Sequence, residues 1–177
     1  NYLVTQPAHA TLEMRGDVTA EMLAFVRRQP DVAVAEARDV ISARSRVDGG
    51  WRPMLIFAVE DFQSLKLSLF SLREGRLPAA PGEAMLEHTA TGVMNAGLGS
   101  SLILKTPRGR ELAVNLTGLA HDPGLAPAWQ ERTGYVYLER ATLRQLGEEG
   151  ALHELRVRFR DVPEDMASIQ TAAESLA

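Results

Sequence analysis

The chain has 177 residues, 45% hydrophobic and 24% charged, which suits one large globular domain or two small ones with a real core. A formal charge of −4 argues against the basic stripe that nucleic-acid binding needs, and the absence of cysteine excludes disulfides and thiolate metal sites. No run of about 18 apolar residues occurs, so no stretch reads as a membrane-spanning helix.

Residues Ala8–Met14 alternate apolar and polar side chains, which predicts a half-buried strand. Arg15-Gly16-Asp17 breaks it, and Asp17 is the expected cap of a helix whose apolar face carries Val18, Met22, Phe25 and Val26. Pro30-Asp31 ends that helix. Val32–Val47 then reads as one long strand, turned by Asp48-Gly49-Gly50 into a return strand at Trp51–Glu60. Met54–Val59 is apolar on both faces, as a central strand is.

From Asp61 to about Gly150 the pattern changes to short strands, including Leu102–Thr106 and Glu111–Leu119, with Gly/Pro turns and two brief helices. The helices are expected at His88–Ala96, closed by Gly97, and at Glu139–Leu146, closed by Gly147. Leu152–Arg160 alternates cleanly, with Leu155, Val157 and Phe159 inward and the arginines outward. Pro163 opens a last predicted helix with Met166, Ile169, Ala173 and Leu176 on one face. The expected fold class is therefore α+β. Residues 1–60 and 151–177 make a discontinuous, porter-like lobe of the ferredoxin-like split βαβ kind, and residues 61–150 form an inserted, mostly β lobe.

Catalytic chemistry finds little support. The histidines His9, His88, His121 and His153 contain no pair at the i, i+4 spacing of a zinc helix, so no metal site is assigned. His121-Asp122 has the composition of an oriented base, but neighbours on a strand point to opposite faces, and loop capping is the expected role. There is no Gly-x-Ser-x-Gly elbow and no Walker Gly-Lys-Ser/Thr, so neither an acyl nucleophile nor a nucleotide site is assigned. The chain reads as non-enzymatic and without cofactors.

One order of motifs is informative. Gly75-Arg76-Leu77-Pro78 leads into Pro81-Gly82-Glu83 and a short apolar strand. A segment ending in Gly97-Leu98-Gly99 follows, then a strand pair closing on Leu116-Thr117-Gly118-Leu119. This order resembles the extracytoplasmic domain of ABC permeases of the FtsX/MacB type, the MacB-like periplasmic core domain. The resemblance implies a non-catalytic domain held at the outer face of the bacterial inner membrane by flanking transmembrane helices beyond Asn1 and Ala177. It implies a second permease copy and a cytoplasmic ABC ATPase as partners. Motion driven by that ATPase would reach cargo outside: a periplasmic protein, peptide, lipoprotein or drug. A free-standing periplasmic binding or assembly module with the same two-lobed fold is the alternative.

Within the insertion, His121–Gly134 is long and rich in proline. Long ordered loops in compact domains are often functional, and tryptophan is enriched where partners bind most tightly. The candidate partner-binding residues are Pro123, Leu125, Pro127, Trp129 and Arg132. Leu125 and Trp129 are the expected apolar anchors, with Glu131 and Arg132 as a polar rim. The opposing expectation is that Trp129 folds back as a buried lid.

Overall fold

A computed structural model describes residues 8–67 and 70–160. The strands are β1 (Ala10–Glu13), β2 (Val32–Val47), β3 (Gly50–Val59), β4 (Ser71–Gly75), β5 (Glu83–Glu87), β6 (Ser101–Lys105), β7 (Glu111–His121), β8 (Gly134–Glu139) and β9 (Glu154–Phe159). The helices are short: α1 (Ala20–Arg27), α2 (Thr91–Met94), α3 (Ala128–Glu131) and α4 (Arg140–Gln145), with a 3-10 turn at His88–Ala90. The fold is mixed α and β and mostly sheet. The expected final helix after Pro163 and the segment Asn1–Gln6 lie outside the described residues.

One sheet holds the nine strands of the described residues, in the order β1-β9-β2-β3-β8-β5-β7-β4, with β6 pairing both β2 and β7. β2 pairs with three other strands, β3, β6 and β9. At 16 residues it is roughly 50 Å long. Its first part pairs antiparallel with β9 from Val32 to Arg38. Its later part pairs with β6 through Arg44 and Ser45. Its other edge runs against β3 from Arg38 to Val47, around a turn in which Asp48 and Gly49 take positive φ. Because β6 reaches β2 on one side and β7 on the other, the strands β2-β3-β8-β5-β7-β6 close a barrel-like circuit. β1 and β2 both pair antiparallel with β9, which lies between them.

The apolar core follows this circuit. One cluster joins Val18, Leu23 and Val26 of the α1 region to Ala35, Met54, Ile56, Leu86, Leu116, Leu138 and Val157. A smaller cluster on the other face gathers Val59, Phe62, Phe70, Met85, Ala120 and Tyr137, with Phe70 and Tyr137 rings 4.6 Å apart. Residues 35–38 of β2 are buried on both faces. Ala35 and Ala37 enter the main core, while Glu36 and Arg38 turn under the segment that carries Leu67.

Two local expectations change. α1 is capped by Thr19, whose hydroxyl accepts from the Met22 amide at 3.2 Å, and not by Asp17. The later start rotates the buried stripe to Val18, Leu23 and Val26 and leaves Phe25 57% exposed. Asp17 instead accepts from the Leu152 amide and from Arg140, each at 3.0 Å, tying the helix entry to the chain before β9. The helix expected at His88–Ala96 is a 3-10 turn followed by one α turn, and Asn95 at φ 47°, not Gly97, ends it.

The motif order of residues 75–118 has a physical basis. Gly75 sits at φ 76° where an added Cβ would press on the Thr117 carbonyl and the Leu98 side chain. Arg76 then forms a two-pronged ion pair with Glu83, with Nη1–Oε2 at 2.8 Å, and Glu83 also accepts from the Ala79 amide at 2.8 Å. Gly82 donates its amide to Thr142 of α4 at 2.9 Å. The hydrogen bonds from Arg76, then those from backbone amides, lower the Glu83 carboxyl from 4.5 to about 2. A folded value below the unfolded one stabilises the native state above about pH 4.5, and that contribution is lost as pH falls toward 2.

Glu83→Gln should therefore lower the melting temperature at pH 7 and flatten the acid-induced loss of stability between pH 4.5 and 2. Thermal melts across that range are the check. Gly75→Ala must take a left-handed backbone and meet a carbonyl, so urea unfolding should show a loss of about 2 kcal/mol or more.

Candidate functional site

The loop between β7 and β8 is ordered by three attachments. At its start Asp122 is buried: one carboxylate oxygen accepts from the Gly124 amide at 2.9 Å, the other from the Tyr137 hydroxyl at 2.9 Å. Burial, then the Asp122 charge and the hydrogen bond to it, push the Tyr137 phenol well above its ordinary range, so it stays a neutral donor. In the middle, Leu125 packs against both apolar clusters. At α3 the buried Ala128 donates its amide to Thr89 Oγ1 at 3.0 Å. Gly134 lets β8 begin against Met54 and Met94, whose side-chain ends lie 2.8 Å from where a Cβ would stand.

Between these attachments Trp129 is 66% exposed. The buried-lid expectation for this side chain does not hold. Trp129 and Arg132 flank an open cleft of about 470 Å³ together with Arg52, Thr89, Gly92 and Val93. Arg132 closes α3 in the left-handed region at φ 52°. Leu125 does not join this cleft. It lines a separate, smaller pocket of about 180 Å³, with Arg38, Phe57, Asp122, Tyr137 and Arg156 among its walls. Pro123 is exposed, and Pro127 is half-buried at the N-cap of α3. Two of the five candidate residues thus share one cleft, while the other three anchor or shape the loop.

The small pocket has a charged wall. Arg38 is buried and reaches Glu36 at 3.3 Å as well as the Leu67 carbonyl. Burial, and next the nearby Arg156 charge, lower its guanidinium to about 10, still cationic at neutral pH. Among the described residues its Nε has no hydrogen-bond partner.

A cluster that the sequence reading passes over sits at the loop's start. β5 and β7 run parallel with Glu87 opposite Ala120, so the next residues, His88 and His121, emerge side by side. Their rings stack with centroids 4.8 Å apart and planes 15° off parallel. Glu87 Oε1 lies 3.4 Å from His88 Nδ1 and 3.7 Å from His121 Nδ1. Its Oε2 accepts from the Thr89 amide at 2.7 Å and from the Thr89 hydroxyl. The adjacent Asp122 caps the loop, as the sequence reading expects.

No family model matches the sequence, and none of the curated proteins matches it. Solved structures do match. The periplasmic region of MacB from Actinobacillus actinomycetemcomitans superposes at a TM-score of 0.63 with 13% identity, covering 94% of this chain and 78% of that one. The extracellular domain of the ABC-type transporter YknZ from Gram-positive bacteria gives 0.63 with 14% identity, covering 94% and 90%. A domain assigned to a permease of Porphyromonas gingivalis gives 0.58 with 14% identity, covering 93% and 79%. The chain has the fold of the extracytoplasmic domains of ABC-type transporter permeases, the fold that the motif order of residues 75–119 implies. Among the described residues no helix is long and apolar enough to cross a membrane.

Two substitutions separate anchor from exposed group. Tyr137→Phe strands a buried Asp122 oxygen and should cost about 1–3 kcal/mol in urea unfolding. Trp129→Ala, at a site 66% exposed, should stay within about 0.5 kcal/mol of the parent.

Proposed function

We propose that this chain is the non-catalytic extracytoplasmic domain of an ABC transporter permease, passing ATP-driven motion to a cargo or partner outside the membrane. The observation that carries the reading is the likeness in fold, across 94% of the chain, to the periplasmic region of MacB and the extracellular domain of YknZ. The permease would dimerise, its ATPase would act from the cytoplasm, and the cargo would be a protein, peptide, lipoprotein or drug.

The architecture is read as a split βαβ lobe of residues 1–60 and 151–177 carrying the β insertion 61–150. In support, β9 lies between β1 and β2 with α1 connecting those two. The first and last described residues also adjoin. The His9 amide donates to the Val157 carbonyl at 2.8 Å, and the Phe159 amide to His9 Nδ1 at 3.2 Å. Adjoining His9 and Phe159 are what attachment of the domain to one membrane surface would require.

The partner surface would be the Trp129 cleft. Prolines 123 and 127, with the Asp122 and Ala128 hydrogen bonds, hold the loop in place before binding, which reduces the entropy lost on docking. Purification of the intact membrane protein from native membranes, with identification of what accompanies it, tests the role. An ATPase subunit and an extracytoplasmic partner should both be recovered. Trp129→Ala should lose the outer partner by about 2 kcal/mol or more, roughly thirtyfold in affinity, and keep the ATPase. Recovery of the protein without any ATPase would turn the reading to a free-standing binding module.

A further inference from the structure

We propose that Glu87, His88 and His121 form a binding site for a divalent transition-metal ion of the zinc class, at the base of the Trp129 loop. Sequence spacing gives no hint of it, because the donors come from the ends of two strands and meet through the parallel β5–β7 register.

The donor set has suitable chemistry and spacing. One ligand atom from each residue lies within 4.8 Å of the others. Zinc bonds of 2.0–2.2 Å around a tetrahedral centre put ligand atoms about 3.3–3.6 Å apart. The Glu87 Oε1 to imidazole distances of 3.4 and 3.7 Å are already near that, so small side-chain rotations complete the triad. Two imidazoles and one carboxylate leave a fourth position for water, and His121 is 48% exposed, so an ion has a way in.

The charge balance points the same way. Glu87 is 2% exposed, and among the described residues its ion-pair partners are the two histidines, with no arginine or lysine. A buried carboxylate is ordinarily paired with a cation or bound to a metal. Thr89 holds Oε2 through its amide and hydroxyl and leaves Oε1 facing the imidazoles, as an outer partner that aims a ligand does. The same Thr89 hydroxyl receives the Ala128 amide. A metal held by Glu87 would therefore be one residue removed from the turn that presents Trp129.

Titration of the metal-free domain with cobalt(II) and with zinc(II), in a buffer that does not bind them, tests the site apart from any transport role. Cobalt should bind at one equivalent with the intense visible band of a low-coordinate nitrogen and oxygen site, and zinc should displace it. Zinc should raise the melting temperature and slow amide exchange over residues 128–131. His121→Ala and His88→Ala should each remove the band and the thermal shift while circular dichroism shows the fold intact. Thr89→Val should weaken zinc about 10- to 100-fold without removing the band. Absence of the band, or a band that survives in both histidine variants, overturns the proposal.

Discussion

The structure depends on the sharing of one strand. β2 offers its early half to β9 and its later half to β6 while β3 covers its other edge. Both halves must be straight enough to remain one ladder, so the polar residues along it need separate solutions. Glu36 and Arg38 face a side that would be open to water in a simple sheet, yet residues 35–38 are buried on both faces. Their charges are met by each other, by the Leu67 amide and carbonyl, and by the Lys66 amide. A buried pair of this kind contributes little net stability, because desolvation offsets most of the attraction, but removing one partner strands the other. The pair thus fixes where the 61–67 segment crosses the strand.

The second constraint is the tight approach around Gly75 and Gly118. An added Cβ on Gly118 would meet the Arg76 carbonyl at 2.5 Å, and one on Gly75 would meet Thr117. β4 can lie against β7 only because neither residue has a side chain there. Immediately after, Arg76 and Glu83 staple the turn that delivers β5 to its slot between β7 and β8. A set of weak sequence motifs therefore describes one mechanical part: a crossover that must be narrow, then pinned.

Much of this was legible in the sequence because it is local. The β2–β3 hairpin follows from alternation and Asp48-Gly49-Gly50, and β9 from its inward Leu155, Val157 and Phe159. The long ordered loop follows from its prolines and tryptophan. The features that escaped are those decided by contacts between distant segments. Asp17 has the chemistry of a cap, but Arg140 and the Leu152 amide compete for it and win, so Thr19 caps α1 and Phe25 turns outward. The parallel pairings β3–β8 and β5–β7 leave no signature in a single strand, and the meeting of His88 with His121 depends wholly on the second. Of the loop residues, composition could nominate Leu125 and Trp129 but could not tell which packs inward.

Under the proposed role, the same topology says how displacement would travel. The first and last described strands, β1 and β9, lie side by side, and the candidate partner loop joins β7 to β8. Between those points stand the β9–β2 ladder, the long β2–β3 ladder and the parallel β3–β8 ladder. A pull along these strands loads many hydrogen bonds together in shear, and the closed circuit through β6 leaves β2 little room to peel away. Trp129 stands on a turn tied at Asp122 to Tyr137 of β8 and at Ala128 to Thr89, just beyond β5. A loop with a floppy root would absorb a displacement before a partner felt it, whereas one anchored to β8 and to the turn after β5 would pass it on.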